Sequence, residues 1–395
     1  MSAIGVAGFR FAGIHCGIKK SGKPDLALLV ADGPVACAGV YTTNQIVAAP
    51  VVQSKARLAG RHTAKVVVIN SGNANACTGP QGDSDARQMA ALAATAAGCQ
   101  PLDVQVCSTG VIGAPLPMAV LERGIPLAYE HLTESGLADF GEAICTTDTF
   151  AKLRQGNAEI DGRMIHVAGV SKGAGMIHPN MATMLGVLVT DAPISPAELD
   201  PMWRRVCHQT FNAITIDGDT STNDTALVLA SGRAGGATLS GEALARFETL
   251  LHDVASELAK DIVRDAEGGS KLVEITISGA ATLSDAAQAA DAVSLSPLVK
   301  TAMHGEDPNW GRIIAAAGRS GALLDPDKLT LWMNDVVLYR DGAWQGVDAE
   351  AAAHEVMCLA EYAVRLDLGI GTASRTVFTC DFSADYVRIN ADYRS

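Results

Sequence analysis

Hydroxyl and amide side chains gather in four segments of this chain. They are Asn70-Ser71-Gly72-Asn73-Ala74-Asn75-Ala76-Cys77, Ser108-Thr109-Gly110-Val111-Ile112-Gly113, Thr146-Thr147-Asp148-Thr149, and Lys172 through Thr183. Loops at strand ends are where α/β proteins place chemistry. A cleft lined by Thr and Asn with a single Lys suits a small zwitterion, because hydroxyls, amides and one cation can meet both a carboxylate and an amine. Taken alone, the pattern does not promote Thr183 to a nucleophile.

Sharper motifs occur, and each fails its context. Gly17-Ile18-Lys19-Lys20-Ser21-Gly22-Lys23 has phosphate-loop spacing, but Pro24 stands where a Ser or Thr should reach magnesium and no helix follows. It reads as a basic surface turn. Gly169-Val170-Ser171-Lys172-Gly173 matches a nucleophile elbow, yet glycines and Pro179 follow where a helix is required. Gly369-Ile370-Gly371 opens like a dinucleotide loop, with Ser374 at the third glycine position and a helical pattern before it. The nine His do not pair at helical ligand spacing, and the nine Cys form no C-x-x-C. Reduced thiols in a cytosolic core and no metal are therefore expected. Asp217 through Asp224 lacks the glycine and distal Glu of a calcium loop and reads as a hydrogen-bonded turn.

The elements that must position these segments come from the rest of the chain. Its 395 residues are 48% hydrophobic but only 5% aromatic, so the core is built from Ala, Val, Leu and Ile. A net charge of -13 with no basic run argues against nucleic acid as a partner. The uncharged stretches Pro34–Ser54 and Val104–Leu121 are broken by Pro, Gly and polar residues, so no membrane span is expected. The amino terminus lacks the pattern of a secretory signal, and the cytoplasm is the expected compartment. Strands are expected at Ala64–Asn70, Met164–Val170, Met184–Thr190, Thr225–Ala230, Leu272–Ser278 and Leu329–Met333. Helices are expected at Ser84–Gly98, from a Ser195 cap to about Thr210, and at Gly241–Asp265, Ser284–Met303 and Asp348–Leu366. This density of both elements predicts an α/β (α+β) protein, its sheets layered with helices. If the chain has a boundary, the cluster Gly173–Thr183 is the place to look for it.

That same stretch, Lys172-Gly173-Ala174-Gly175-Met176-Ile177-His178-Pro179-Asn180-Met181-Ala182-Thr183, closely resembles the ornithine acetyltransferase family, also called glutamate N-acetyltransferases. The resemblance extends in order through Gly17–Lys20, Asp25–Leu28, Thr42-Thr43-Asn44, Ser71–Gly79, Ser108–Gly110 and Thr146–Thr149. It continues through Asp265–Gly268, Asp307–Arg312 and Ile389–Ser395. It implies an amino-terminal-nucleophile-like precursor that cuts itself between Ala182 and Thr183. Two associated chains result: residues 1–182, with the oxyanion-hole loop, and residues 183–395, opening with the Thr nucleophile. The physics supports this: a hydroxyl is a poor nucleophile without a base, and cleavage supplies one as the threonine's own α-amine, titrating near ~8.

The resemblance further implies a two-step, ping-pong exchange. Thr183 takes the acetyl group from N2-acetylornithine and passes it to glutamate. Thr109 and Gly110 are implied as the oxyanion hole, and Thr146, Lys172, Thr183, Glu267, Asn390 and Ser395 as substrate contacts. Lys172 is assigned the α-carboxylate common to both substrates and Glu267 the terminal amine of ornithine. No cofactor is implied, with acetyl-CoA as a candidate co-substrate, and the assembly implied is a dimer of heterodimers. Two rivals remain at this point: an amino-terminal-nucleophile aminopeptidase or amidase of related architecture, and a binding protein of the same fold. A structural ion pair between Lys172 and Glu267 is the alternative for those two residues.

Overall fold

A computed structural model describes residues 5–178 and 184–392. It divides into two compact units. Of the described residues, the first comprises the chain up to Asn212 together with Asp219–Ile262; the second comprises Ala213–Gly218 and residues 263–392.

Strands β1 (Phe9–Ile14), β2 (Leu26–Tyr41), β3 (Thr63–Asn73), β4 (Val104–Val111), β5 (Lys152–Ile160), β6 (Arg163–Lys172) and β7 (Leu185–Thr190) come first along the chain. The two-residue β8 (Ile214–Thr215) and then β9 (Thr225–Ala230) follow. All but β8 form one mixed sheet in the first unit, in the order β4-β3-β2-β9-β7-β6-β5, with β1 added against β2. Strand β2 changes partners along its length: Leu26–Ala31 pairs with β1 and Ala36–Tyr41 with β9. Its register with β3 slips between Val30 and Val35, around Pro34, which has no N–H to give the ladder.

Alternation along β2 and β3 feeds two cores. Leu26, Leu28, Val66 and Val68 pack with helices α2 (Gly79–Ala97) and α3 (Met118–Glu130). Ala27, Leu29, Val67 and Ile69 pack with Phe140 and Ile144 of α4 (Leu137–Ile144) on the opposite face. Helix α1 (Ala49–Leu58) precedes these, and α5 (Pro196–Gln209) and α6 (Gly241–Arg264) follow. Helix α5 is tied to β9 by Trp203, whose indole N–H donates to the Ala226 carbonyl at 2.9 Å. The layering of sheet and helices is as expected from the sequence.

The second unit holds β10 (Leu272–Ala280), β11 (Thr330–Met333), β12 (Val336–Arg340), β13 (Ala343–Trp344), β14 (Glu361–Asp367) and β15 (Ala373–Thr379). With β8 they form a sheet in the order β13-β12-β11-β14-β10-β15-β8. Helices α7 (Leu283–Ser294), α8 (Pro297–His304), α9 (Trp310–Gly318), α10 (Val347–Met357) and α11 (Ala384–Asp392) accompany it.

Several expectations need correction. The stretch Ser284–Met303 is two helices, because Pro297 cannot continue the hydrogen-bond ladder and the Ser296 hydroxyl accepts the Val299 N–H to start α8. Asp348–Leu366 is helical only to Met357. From Glu361 the side chains alternate in exposure, with Tyr362, Val364 and Leu366 buried, and that two-residue period makes a strand. Helix α2 begins at Gly79, earlier than expected, and ends as expected at Gly98, which adopts a left-handed φ of 59°. Ser195 does precede Pro196 at the start of α5, but its hydroxyl accepts no cap N–H. The turn-rich cluster before Thr183 is no unit boundary. It joins antiparallel neighbours β6 and β7, paired Lys172↔Leu185.

Candidate active site

Parallel pairing of β3 with β4 brings two of the polar segments together at the strand ends, Ser71↔Thr109 and Gly72↔Gly110. Gly110 has a φ of 131°, and a Cβ there would lie 2.3 Å from the Gly72 carbonyl carbon. Only glycine fits so close an approach. The amides of this region are bound internally. Asn223 Nδ2 donates to the carbonyls of Ala74 (2.6 Å) and Ser108 (2.9 Å), and the Ser108 hydroxyl donates to Asn70 Oδ1 at 2.6 Å. Asn223 and Asn70 thus hold Ser108, the residue before Thr109, by its carbonyl and its hydroxyl.

Thr109 and Lys172 are both nearly inaccessible, at 4% and 3% exposure, and they touch. Lys172 Nζ donates to Thr109 Oγ1 at 3.3 Å. An ammonium can only donate, so the contact fills an acceptor position on the hydroxyl and leaves its proton for another acceptor. Lys172 closes β6, and the next N–H, of Gly173, donates to Asp148 Oδ1 at 2.7 Å.

Asp148 organises the Thr146 segment. Its Oδ2 accepts the Thr146 N–H at 2.9 Å, and its Oδ1 also accepts Lys152 Nζ at 2.7 Å. The Asp148 and Lys152 side chains are completely buried. Burial opposes the Asp148 charge, but the Lys172 and Lys152 ammoniums and the Gly173 N–H prevail and hold the carboxyl below its ordinary range. Thr146 itself lines a cleft of about 290 Å³ with Lys19, Cys145, Asp148 and Thr149.

The segment Gly17–Lys23 is a turn, as expected, and its geometry explains the phosphate-loop spacing. The N–H groups of Cys16, Gly17, Ile18 and Lys19 converge on the buried Asp25 carboxylate at 2.7–3.2 Å. The protein's own carboxylate occupies the place of an anion. Lys19 Nζ continues across to the Cys145 carbonyl at 2.6 Å and supports the wall of the Thr146 cleft. The turn Asp217–Asp224 is hydrogen-bonded through Thr42, whose hydroxyl donates to the Ser221 carbonyl at 2.6 Å, and Asn44, whose Nδ2 donates to the Thr220 carbonyl at 2.8 Å. Among the described residues no group of three His, Cys, Asp or Glu could hold a metal.

In the second unit, Glu267 and Asn390 meet. Asn390 Nδ2 donates to Glu267 Oε2 at 3.0 Å, from the last turn of α11. Gly268 (φ 69°) allows this, since a Cβ there would sit 2.5 Å from the Tyr386 nitrogen. Of the residues expected at the site, Thr109, Gly110, Thr146 and Lys172 thus belong to the first unit, and Glu267 and Asn390 to the second. Ala182, Thr183 and Ser395 lie outside the described residues. Reading the sequence assigned no role to Asp148. The signal available for Asp148 was an acidic residue four positions before a Lys in an otherwise uncharged loop.

Comparison with known proteins extends these observations. The sequence profile of the ArgJ family matches residues 10–395. The chain is 50% identical over 392 residues to the arginine biosynthesis bifunctional protein ArgJ of Geobacter sulfurreducens, covering 99% of this chain and 100% of that one. The protein of the same name from Symbiobacterium thermophilum is also 50% identical, over 98% of this chain and 97% of the other. Among solved structures, the arginine biosynthesis bifunctional protein argJ of Bacillus halodurans matches with a TM-score of 0.51 and 39% identity. All of that chain is covered by 53% of this one.

Proposed function

This chain belongs to the ArgJ family, and on that premise we propose that it is an acyltransferase of arginine biosynthesis, moving an acetyl group from N2-acetylornithine to glutamate. The observation that carries the reading is the buried contact of Lys172 with Thr109, beside the glycine that only a close backbone approach demands. A tetrahedral intermediate of acyl transfer needs donors aimed at its developing oxyanion. The Thr109 hydroxyl, its proton left free by the incoming ammonium, and the Gly110 N–H are suited to that task. Lys172 supplies a fixed positive charge for the α-carboxylate that both substrates carry, and the Thr146 segment is held at the same place through Asp148. Glu267, oriented by Asn390, receives the terminal amine of ornithine, and Ser395 adds a contact from the carboxy terminus.

In this reading the nucleophile is Thr183, freed by cleavage after Ala182, and its α-amine accepts the hydroxyl proton. The acetyl group rests on Thr183 between the two halves of the exchange, so ornithine leaves before glutamate enters. Residues 1–182 and 183–395 remain together and pair again as a dimer of heterodimers in the cytoplasm. The solved Bacillus halodurans chain matches along its whole length to about half of this chain, which agrees with chains that are cut in two. The reaction takes no resident cofactor, and acetyl-CoA is a second donor.

A gel and an assay test this. The purified protein runs as two fragments, Thr183→Ala runs as one, and acetylornithine is turned over beyond one equivalent per site only when glutamate is present. Intact wild-type protein that still turns over would sink the amine-as-base mechanism. Continued turnover without glutamate would make the protein an amidase.

A further inference from the structure

Helix α11 carries Asn390 to Glu267, yet it buries little of itself. Of residues 384–391 only Tyr386 is half-buried, and the others are exposed, Val387 at 66%. A helix of nine residues is marginal alone, and this one has too little buried apolar surface to be fixed by packing. One ring pair and a set of polar contacts hold it instead. The Phe382 and Tyr386 rings stack with centroids 4.6 Å apart, and the Tyr386 hydroxyl donates to Asp217 Oδ2 at 3.3 Å.

Ser383 joins the start of this helix to the turn that bears Glu267. Its hydroxyl oxygen accepts the N–H groups of Asp385 at 3.1 Å and Tyr386 at 3.3 Å, the arrangement of a helix cap. The hydroxyl proton leaves the helix and goes to the Gly268 carbonyl at 2.6 Å. The one donor and both acceptor positions of the hydroxyl are thus used. A Cβ on Gly268 would lie 2.8 Å from Ser383 Oγ, so the cap sits directly on the turn. Two residues earlier, Asp381 Oδ1 accepts the N–H groups of Ser270 at 2.6 Å and Lys271 at 2.9 Å. The turn from Glu267 to Lys271 is therefore laid along residues 381–383. Asn390, about two helical turns beyond Ser383, donates to Glu267 Oε2 at 3.0 Å. Glu267 is held from both ends of α11, by its backbone through Ser383 and by its carboxylate through Asn390.

We propose that Ser383 is a positioning residue for recognition of the substrate's terminal amine. The inference rests on reading Glu267 as the carboxylate that receives that amine. Ser383 acts through Glu267. Its bond to Gly268 fixes where the turn presents the carboxylate, and its cap keeps α11 formed so that Asn390 can orient it. A carboxylate aimed in advance gives up little rotamer freedom when the amine arrives, whereas one that swings freely loses affinity by that ordering.

Two ligands and two substitutions separate this role from a structural one. Norvaline is ornithine with a hydrogen in place of the terminal amine, so it makes no use of Glu267. Ser383→Ala removes both the cap and the bond to Gly268. Ser383→Gly removes the bond but nearly spares the cap, because glycine costs that position little. Calorimetric titration of ornithine and norvaline into the purified full-length proteins measures both affinities. Ornithine should bind about 3- to 10-fold more weakly to either variant, the usual worth of one hydrogen bond, while norvaline binding stays unchanged. Ser383→Thr, which keeps the hydroxyl, should bind ornithine as wild type does. In a Glu267→Gln background, Ser383→Gly should weaken ornithine no further. A Gly variant that binds ornithine like wild type, or that weakens ornithine and norvaline alike, overturns the proposal alone. Glu267→Gln with an undiminished preference for ornithine over norvaline overturns the reading of Glu267 and the proposal with it. Where Ser383→Ala fails to fold, Ser383→Gly decides by the same comparison.

Discussion

Thr109 and Lys172 share one contact, and the proposed function gives them different stages of the reaction, which kinetics separate. On that proposal Thr109→Ala removes a donor that matters only when charge develops on the oxyanion. The acetyl-transfer rate should drop about 10²- to 10³-fold while KM changes little. A large rise in KM with normal turnover would place Thr109 in substrate binding instead. On the same proposal Lys172→Ala removes the partner of a carboxylate that both substrates carry, at a position where Lys172 is 3% exposed. Losing one member of such a pair costs about 2–5 kcal/mol, so kcat/KM should fall more than tenfold for acetylornithine and for glutamate alike. Lys172→Arg should restore little, because a planar fork does not fill the place of a point charge. If a charge-swapped Lys172/Glu267 double mutant recovered activity, the two residues would be an ion pair and the carboxylate role would be retired. Lys172 was legible in the sequence as the one basic residue in a polar cluster, and Thr109-Gly110 as a hydroxyl beside a glycine. Asp148 was not, since nothing local distinguishes a carboxyl that will be buried against a lysine from one in a solvated loop.

Asp148 shows how a loop is held by a charge that no periodicity reports. Its carboxylate ties the Thr146 N–H, the Gly173 N–H and Lys152 into one buried cluster, fixing the Thr146 segment to the end of β6. Asp148→Ala breaks a completely buried ion pair with Lys152 and should destabilise the fold by about 3–5 kcal/mol. The pH dependence follows from the direction of its shift. Asp148 titrates below its ordinary value when folded, so the stability it contributes is present above ~3.9, the unfolded value. That stability fades as pH falls further toward the folded pKa. Urea unfolding of wild type and variant should therefore differ most near neutrality and converge in acid; a gap that widens in acid would refute the assignment. Elements were legible where one period dominated, as in the buried runs of β7 and β9. They were misread where a local stop intervened. Ser296-Pro297 splits a helical pattern in two, and the apolar pattern of Val347–Met357 runs on into β14, where only the two-residue alternation of Tyr362, Val364 and Leu366 marks the change.

The division into compact units was the least legible feature, because the chain crosses between them more than once. Ala213–Gly218 departs from the first unit to place the two-residue β8 beside β15, and a strand that short leaves no pattern to read. The same interleaving decides what a cut after Ala182 would do. In the first sheet β7 and β9 stand between β2 and β6, in the order β2-β9-β7-β6. The outer pair belongs to residues 1–182 and the inner pair to residues 183–395. Every residue of β7 and β9 is buried, and six register pairs bind each of them to its neighbour from the other piece. The pieces cannot part unless this sheet unfolds, so they should co-purify in native buffer and separate only in denaturant, over the range where the sheet is lost. A second consequence is thermodynamic. Unfolding the cut protein releases two chains, and mass action then makes its melting temperature depend on concentration. A tenfold rise in concentration is worth about 1.4 kcal/mol, or about 3–5 °C for a unit of this size. Uncut Thr183→Ala should lack this increment, whatever shift it shows from assembly into larger oligomers. Calorimetry on the two proteins across a hundredfold range of concentration measures the difference directly. Equal slopes, or pieces that separate on a column without denaturant, would mean that the two chains do not share the sheet after cleavage.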